Sequence, residues 1–109
     1  MFHNLDERLH VSWFLYLIEC RDGSIYTGIA RDVAARYAAH VNGKGAKYTR
    51  SRPPRRLLAI VDYPDRSSAS RAEYAMKQLS RADKRRFCLQ RDALWQMHLL
   101  PDEARTSND

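Results

Sequence analysis

Long apolar runs, secretory signals and low-complexity segments are all missing from this sequence of 109 residues. The longest uninterrupted apolar run extends from Trp13 to Ile18, well short of the ~20 residues that a membrane-spanning helix needs. The first residues include Asp6 and Glu7 and no apolar stretch, which is not the pattern of a secretory signal. These absences predict a cytoplasmic domain with no membrane partner.

Cysteine is scarce as well. Cys20 and Cys88 are far apart in the chain and have apolar neighbours, so they form neither a disulfide framework nor a metal-ligand set. We expect both to be small buried apolar residues in a reducing compartment. With 44% apolar and 29% charged residues, four Gly and four Pro, the composition is that of a globular protein, and the length suits one domain.

Acidic residues are nearly absent from one quarter of the chain. Residues 31–56 contain Asp32 as their single acid, against eight basic residues: Arg31, Arg36, Lys44, Lys47, Arg50, Arg52, Arg55 and Arg56. A one-sided charge run is often only a solvated surface. Here it is interleaved with Tyr37, His40, Tyr48 and glycines, which favours a polyanionic partner, and nucleic acid is the commonest one.

The hydrophobic pattern predicts six elements. Residues 11–19 and 24–29 are expected to be strands joined by a hairpin turn at Asp22-Gly23. Asp32 is expected to cap a helix over 33–41, in which Val33, Tyr37 and Val41 line the buried face and Arg36 and His40 share another face. Residues 42–54 form a basic loop with a helical turn around 46–50, and 57–63 form a third strand.

Two helices complete the pattern. The first begins at Ser67 or Ser68 and buries Ala69, Ala72, Met76 and Leu79, although Ser70 and Glu73 also fit a capping box. The second begins at Ser80 and reaches Arg91 or beyond. The sequence therefore predicts an α+β fold, a three-stranded antiparallel sheet flanked by helices in the order β-β-α-β-α-α. We expect a lead-in over 1–10, the domain over 11–92 and an extension over 93–109, of which 101–109 form a polar, disordered tail.

Two tripeptides and three charged or titratable residues stand in an order and spacing that resemble those of the GIY-YIG nuclease superfamily. Phe14-Leu15-Tyr16 stands where those enzymes have Gly-Ile-Tyr, and Tyr26-Thr27-Gly28 stands where they have Tyr-Ile-Gly. Arg36, His40 and Glu73 follow in the family's order. The run from Gly43 to Arg50 further resembles the small bacterial members that consist of this domain alone.

The resemblance implies a metal-dependent endonuclease. Its catalytic residues would be Tyr16, Tyr26, Arg36, His40 and Glu73. Glu73 would be the ligand of a single Mg²⁺ or Mn²⁺ ion, and Arg36 would bind a phosphate oxygen. Tyr16 is the favoured general base, with Tyr26 orienting the water or the phosphate, whereas His40 is the better base by its ordinary pKa.

The basic segment would bind the nucleic-acid backbone, with DNA favoured over RNA, through Arg31, Lys44, Lys47, Tyr48, Arg50 and Arg52. The chain would act as a monomer or a weak homodimer. Two alternatives are a nucleic-acid-binding module without catalysis and a small protein that binds an acidic protein partner.

The sequence departs from the family pattern at three places. Phe14 replaces the first glycine, Arg31 is the first cation after the second motif where the family has lysine, and Asp83-Lys84-Arg85-Arg86 stands where some members have asparagine. An arginine cannot donate a proton as a lysine can. None of these departures removes Arg36 or Glu73.

Overall fold

The computed structural model describes residues 12–99. Its elements are β1 (Trp13–Cys20), β2 (Ile25–Ala30), α1 (Val33–Val41), α2 (Lys47–Ser51), β3 (Pro54–Tyr63), α3 (Arg66–Lys77) and α4 (Arg81–Leu99). The predicted α+β fold is confirmed. None of the helices in residues 12–99 is both long enough and apolar enough to cross a membrane. The predicted lead-in over 1–10 and the predicted tail over 101–109 lie outside the described residues.

The three strands form one antiparallel sheet in the order β2-β1-β3, so that β1 is its central strand. The predicted hairpin joins β1 to β2. Gly23 adopts a φ of +86° there, and the Asp22 carboxylate accepts hydrogen bonds from the Ser24 N–H and hydroxyl. This hairpin fixes the register that places Tyr16 directly opposite Gly28.

Both faces of β1 are buried, which explains its continuous apolar sequence. On one face Leu15 and Leu17 pack with Met76 of α3 and Cys88 of α4. On the other face Tyr16, Ile18 and Cys20 pack with α1 and α2 through Val33, Tyr37 and Tyr48. Both cysteines are buried as predicted. The sheet is therefore a middle layer with two helices on each side.

Helix α1 has the predicted limits, and Asp32 caps it by accepting a hydrogen bond from the Ala35 N–H. The predicted buried face is wrong at its end, because Val41 is 54% exposed whereas His40 is buried. Positions 33, 37 and 40 follow helical spacing, so His40 continues the inward face that begins at Val33.

Two other limits differ from the prediction. Strand β3 begins at Pro54 rather than at residue 57, because Pro54 pairs with Cys20 as the first residue of the strand. Helix α3 is capped by Asp65, which accepts a hydrogen bond from the Ser68 N–H, so neither Ser67 nor Ser68 is the cap. Glu73 consequently lies inside the helix and is not part of a capping box.

The end of the same helix also differs from the prediction. Leu79 was expected to be buried, but α3 ends at Lys77 and Leu79 is exposed beyond it. The last helix, α4, begins as predicted, with the Ser80 hydroxyl accepting from the Asp83 N–H. It continues without a break through residue 92, the predicted end of the domain. That domain limit stays a prediction.

A buried carboxylate attaches α4 to the sheet. Glu19 of β1 accepts from Arg56 Nε at 2.8 Å and forms an ion pair with Arg85 Nη1 at 2.9 Å, and its side chain is 8% exposed. Arg85 also donates to the Gly23 carbonyl at 3.0 Å. Hydrogen bonds from Arg85 and Arg56 hold the pKa of the Glu19 carboxyl below its ordinary value. Arg56, which belongs to the basic segment in sequence, therefore has a structural role.

Candidate active site

The two motif tyrosines lie side by side on the face of the sheet that α1 and α2 cover. Tyr16 comes from β1 and Tyr26 from β2, and their ring centroids are 6.2 Å apart. Gly28 makes the position of Tyr16 possible, since a Cβ at Gly28 would lie 2.5 Å from the Tyr16 hydroxyl oxygen. Tyr16 is 1% exposed, whereas Tyr26 is half-buried.

His40 of α1 completes an aromatic cluster with these tyrosines. Its Nε2 lies 2.9 Å from the Tyr16 hydroxyl, and its ring centroid lies 5.0 Å from that of Tyr26. Its Nδ1 lies 2.7 Å from the Thr49 hydroxyl of α2. Because His40 is buried and both of its nitrogens are engaged, it reaches a substrate only through Tyr16.

The environment keeps both members of this pair neutral near pH 7. Burial, reinforced by the nearby Tyr26, raises the pKa of Tyr16 to about 12, against a hydrogen bond from Arg36 that lowers it. Burial and the charge of Arg36 lower the pKa of His40 below its ordinary value. A protonated phenol therefore faces a neutral imidazole across a short hydrogen bond.

The structure also places the predicted charged residues at this cluster. Arg36 of α1 lies close enough to Tyr16 to lower its pKa, and the carboxylate of Glu73 on α3 is near enough to raise it. Glu73 is 24% exposed and pairs with Lys77 Nζ at 3.4 Å, one helical turn away. The other four residues predicted to be catalytic are thus neighbours of Tyr16, and the five together come from four different elements.

Glu73 has the chemistry of a ligand for a hydrated hard cation. Within residues 12–91, no group of three or more His, Cys, Asp or Glu side chains is arranged to hold a metal ion. One partly exposed carboxylate does not suit a structural metal that needs a full set of protein ligands. It does suit Mg²⁺, which keeps several waters and commonly takes one or two carboxylates together with substrate phosphate. The residues present therefore fit the predicted cofactor.

The residues predicted to bind nucleic acid divide into two groups. Lys44, Lys47 and Arg50 are exposed, and so is Arg31, which lies beside the start of α1. By contrast, Arg52 pairs with Asp22 at 3.3 Å and lies 4.6 Å from the centroid of the Tyr48 ring. Tyr48 in turn packs against Tyr26 at 5.8 Å, so it attaches α2 to the sheet.

Sequence reasoning missed three residues of this site. Lys77 was detectable, because it follows Glu73 at the helical spacing of an ion pair. Gly45 lies against His40: a Cβ there would be 2.8 Å from the His40 Cγ and 2.9 Å from its Cα, and closer still to Nδ1. Thr49 gave no signal of its own, because its partner lies nine residues earlier on another helix.

Comparisons with known proteins show what this chain is similar to. The family model described as the GIY-YIG catalytic domain matches residues 12–86. A UPF0213 protein of Cupriavidus pinatubonensis is 59% identical over 76 residues, which cover 70% of this chain and 84% of that protein. A UPF0213 protein of Xanthomonas axonopodis pv. citri is 57% identical over 72 residues, covering 66% and 71% respectively.

A solved structure is similar as well. The solution NMR structure of a protein from E. faecalis is 34% identical to this chain, with a TM-score of 0.50. The similarity covers 83% of this chain and 90% of that one. The matched family span runs from the residue before β1 into α4 and includes every residue of the aromatic and charged cluster.

Proposed function

Because the chain belongs to the GIY-YIG catalytic domain family, we propose that it is a divalent-metal-dependent endonuclease that hydrolyses phosphodiester bonds in nucleic acid, with DNA as its favoured substrate. The observation that carries the proposal is the hydrogen bond between Tyr16 and His40 beside Arg36 and Glu73. A pure binding module needs a basic surface, but it has no use for a buried proton acceptor next to an arginine and a lone carboxylate.

Tyr16 takes the proton of the attacking water in this proposal, and His40 takes the proton of Tyr16. A phenol with a pKa of about 12 is not ionised near pH 7, so it works as a base only if its own proton leaves at the same time. The neutral imidazole 2.9 Å away is the acceptor. Since Tyr16 is enclosed, water reaches it from the side of the half-buried Tyr26, which orients that water.

Arg36 and Glu73 supply the charges that the reaction requires. The guanidinium of Arg36 binds a non-bridging phosphate oxygen and stabilises the negative charge that grows on the phosphorus centre. Glu73 would hold Mg²⁺ or Mn²⁺, and the ion would supply further stabilisation of negative charge at the scissile phosphate. The Glu73 carboxylate also pairs with Lys77 Nζ at 3.4 Å.

The exposed basic side chains bind the nucleic-acid backbone. Lys44, Lys47 and Arg50 lie in or next to α2, which packs against the catalytic cluster through Tyr48 and Thr49. Arg31 lies at the start of the helix that carries Arg36. Contacts from these side chains to phosphates carry no sequence information, so we expect binding that weakens steeply with salt and has little sequence preference. With one such site, each chain cuts one strand, as a monomer or in a weak homodimer.

Strand cleavage by matched variants tests the proposal. Wild type, Glu73→Gln and Arg36→Ala are incubated with supercoiled plasmid and with labelled single-stranded and duplex oligonucleotides, in Mg²⁺, Mn²⁺ or EDTA. Asp62→Asn is the control for loss of one carboxylate, because Asp62 is an exposed residue of β3. We expect wild type and Asp62→Asn to nick DNA only with metal, and both site variants to lose at least about 100-fold in rate.

Binding measured in parallel gives the result that would overturn the proposal. If all four proteins bind DNA equally and none cuts it with either metal, the domain is a nucleic-acid-binding module. If plain DNA does not bind at all, the basic surface serves another partner. Cleavage that persists in Glu73→Gln would contradict the assignment of the metal ligand.

A further inference from the structure

An open depression lies beside the candidate active site. Its volume is about 340 Å³, and it is lined by Phe14 of β1, Ile60 of β3 and three residues where β2 leads into α1, namely Arg31, Asp32 and Val33. Phe14, Val33 and Ile60 form its apolar walls, and Ile60 is 42% exposed. The cleavage steps proposed above use none of these three apolar side chains.

The sheet register and helix α1 both place this depression next to the reacting groups. Tyr16 lies directly opposite Ile60, and Phe14 lies two residues before Tyr16 on the same face of β1, about 7 Å along the strand. Val33 precedes Arg36 by three positions on α1, so these two side chains are neighbours on the helix surface. A nucleotide attached to a phosphate at Arg36 therefore reaches the depression.

The chemistry of the lining suits a nucleobase better than a second phosphate. Phe14 offers a half-buried aromatic ring on which a base can stack, and Ile60 adds an exposed aliphatic wall. The carboxylate of Asp32 disfavours a phosphate inside the depression. Arg31 is exposed and forms no ion pair within residues 12–91, so its guanidinium is available to the phosphate of the same nucleotide.

Two of the departures from the family pattern meet at this depression. Phe14 stands where the pattern has glycine, and Arg31 is the first cation where the pattern has lysine. A glycine at position 14 would remove the aromatic wall. A lysine at position 31 would keep the charge, but it lacks the planar guanidinium that binds a phosphate through two parallel hydrogen bonds. The residues that differ from the pattern thus build one continuous surface.

From this geometry we propose that the depression is a subsite for one unstacked nucleobase of the substrate strand, next to the scissile phosphate. The base stacks on Phe14 and packs against Ile60, while Arg31 binds the phosphate of the same nucleotide. Because every base has an aromatic face, the subsite accepts all four bases, in keeping with little sequence preference. Its place beside the cut rests on the proposed nuclease function, but binding of a base does not require cleavage.

Binding measured in EDTA tests the subsite without cleavage. Fluorescence anisotropy compares a short labelled thymidine oligonucleotide with an abasic chain of the same length, which keeps every phosphate and sugar and lacks the bases. The proteins are wild type, Phe14→Leu, which keeps an apolar side chain but loses the ring, and Ile60→Ala. Leu89→Ala is the matched control for Ile60→Ala, because Leu89 is an exposed aliphatic residue of α4, which packs on the other side of the sheet.

We expect wild type and Leu89→Ala to bind the thymidine oligonucleotide on the order of 10-fold more tightly than the abasic chain, as stacking on one aromatic ring predicts. Phe14→Leu and Ile60→Ala should lower this ratio at least about 3-fold and leave the affinity for the abasic chain unchanged. The same ratio in wild type and Phe14→Leu would overturn the inference. So would an equal loss of affinity for both probes, because Phe14 would then only support the fold.

Cleavage of oligonucleotides that carry one stable abasic nucleotide locates the subsite. As the abasic position is moved along the strand, kcat/KM of wild type should fall on the order of 10-fold at a position next to the cut, and less in Phe14→Leu. Base-dependent binding without any cleavage would refute the nuclease and leave the subsite standing. Cleavage at an unchanged rate for every abasic position would refute the subsite and leave the nuclease standing.

Discussion

Gly28→Ala is the substitution that tests the geometry of the candidate site most sharply, because it adds one methyl group at a known place. The new Cβ would lie 2.5 Å from the Tyr16 hydroxyl oxygen, 2.6 Å from its Cζ and 3.0 Å from Cε2 of Tyr26. Ordinary contacts between such atoms are about 3.5 Å, so the phenol end of Tyr16 has to move by about 1 Å.

A displacement of this size breaks the 2.9 Å hydrogen bond to His40, because the donor–acceptor distance becomes too long for a hydrogen bond. Adding a methyl group to a well-packed site costs about 1–3 kcal/mol. The lost hydrogen bond adds about 1 kcal/mol, so the free energy of unfolding should fall by about 2–4 kcal/mol. Misplacing a reacting group by about 1 Å should lower the cleavage rate by about 100-fold.

Gly43→Ala provides the matched control. Gly43 has a φ of +75°, but no atom lies within 4 Å of a Cβ built there. Its substitution should cost about 1 kcal/mol through backbone strain alone and leave cleavage within a few-fold of wild type. Urea unfolding and plasmid nicking measure both effects. If Gly28→Ala unfolds and cuts like Gly43→Ala, the close packing of Tyr16 against β2 is not needed for the site.

Three further predictions concern buried polar groups. Arg85→Ala should lower the free energy of unfolding by about 3 kcal/mol, because it leaves the buried Glu19 carboxylate with one partner. Adding Glu19→Gln to this variant should recover part of the lost stability. If the double variant is no more stable than Arg85→Ala, the ion pair does not explain the loss. Thr27→Val removes a buried hydroxyl without a partner in the described residues and should stabilise the fold by about 1 kcal/mol in urea unfolding, whereas destabilisation would reveal a partner. The pKa of His40 is lower in the folded protein than in the unfolded chain, so the unfolded chain takes up a proton at His40 at a higher pH than the folded protein does. The free energy of unfolding of wild type should therefore decrease as the pH falls below about 6.5. His40→Gln should make this decrease with pH smaller. Equal slopes in the two proteins would show that His40 does not titrate with unfolding.

The fold was predictable because its signals are local. A continuous apolar run bounded by Asp22-Gly23 specifies a buried strand and a hairpin, and Asp32 specifies the start of α1. One of the errors comes from a long-range partner. Strand β3 starts early because Pro54 pairs with Cys20, 34 positions away along the chain. The Glu19 network was detectable in principle, since a carboxylate within an apolar strand needs a buried partner.

The candidate site was predictable as a set of residues but not as an arrangement. Spacing and the family resemblance identified Tyr16, Tyr26, Arg36, His40 and Glu73. Nothing in the sequence indicated that His40 would be enclosed, or that Thr49 would hold its other nitrogen. Such contacts depend on how α2 folds back over α1, which local patterns do not specify.

The central claim is that the Tyr16 hydroxyl takes part in phosphodiester cleavage, and its removal is the most direct test. Nicking of supercoiled plasmid in Mg²⁺ is compared for wild type, Tyr16→Phe and Tyr37→Phe, each of the two variants lacking a single hydroxyl from the same packed face. We predict that Tyr16→Phe loses cleavage while it still binds DNA, and that Tyr37→Phe cuts like wild type. Equal cleavage by all three proteins would contradict the account.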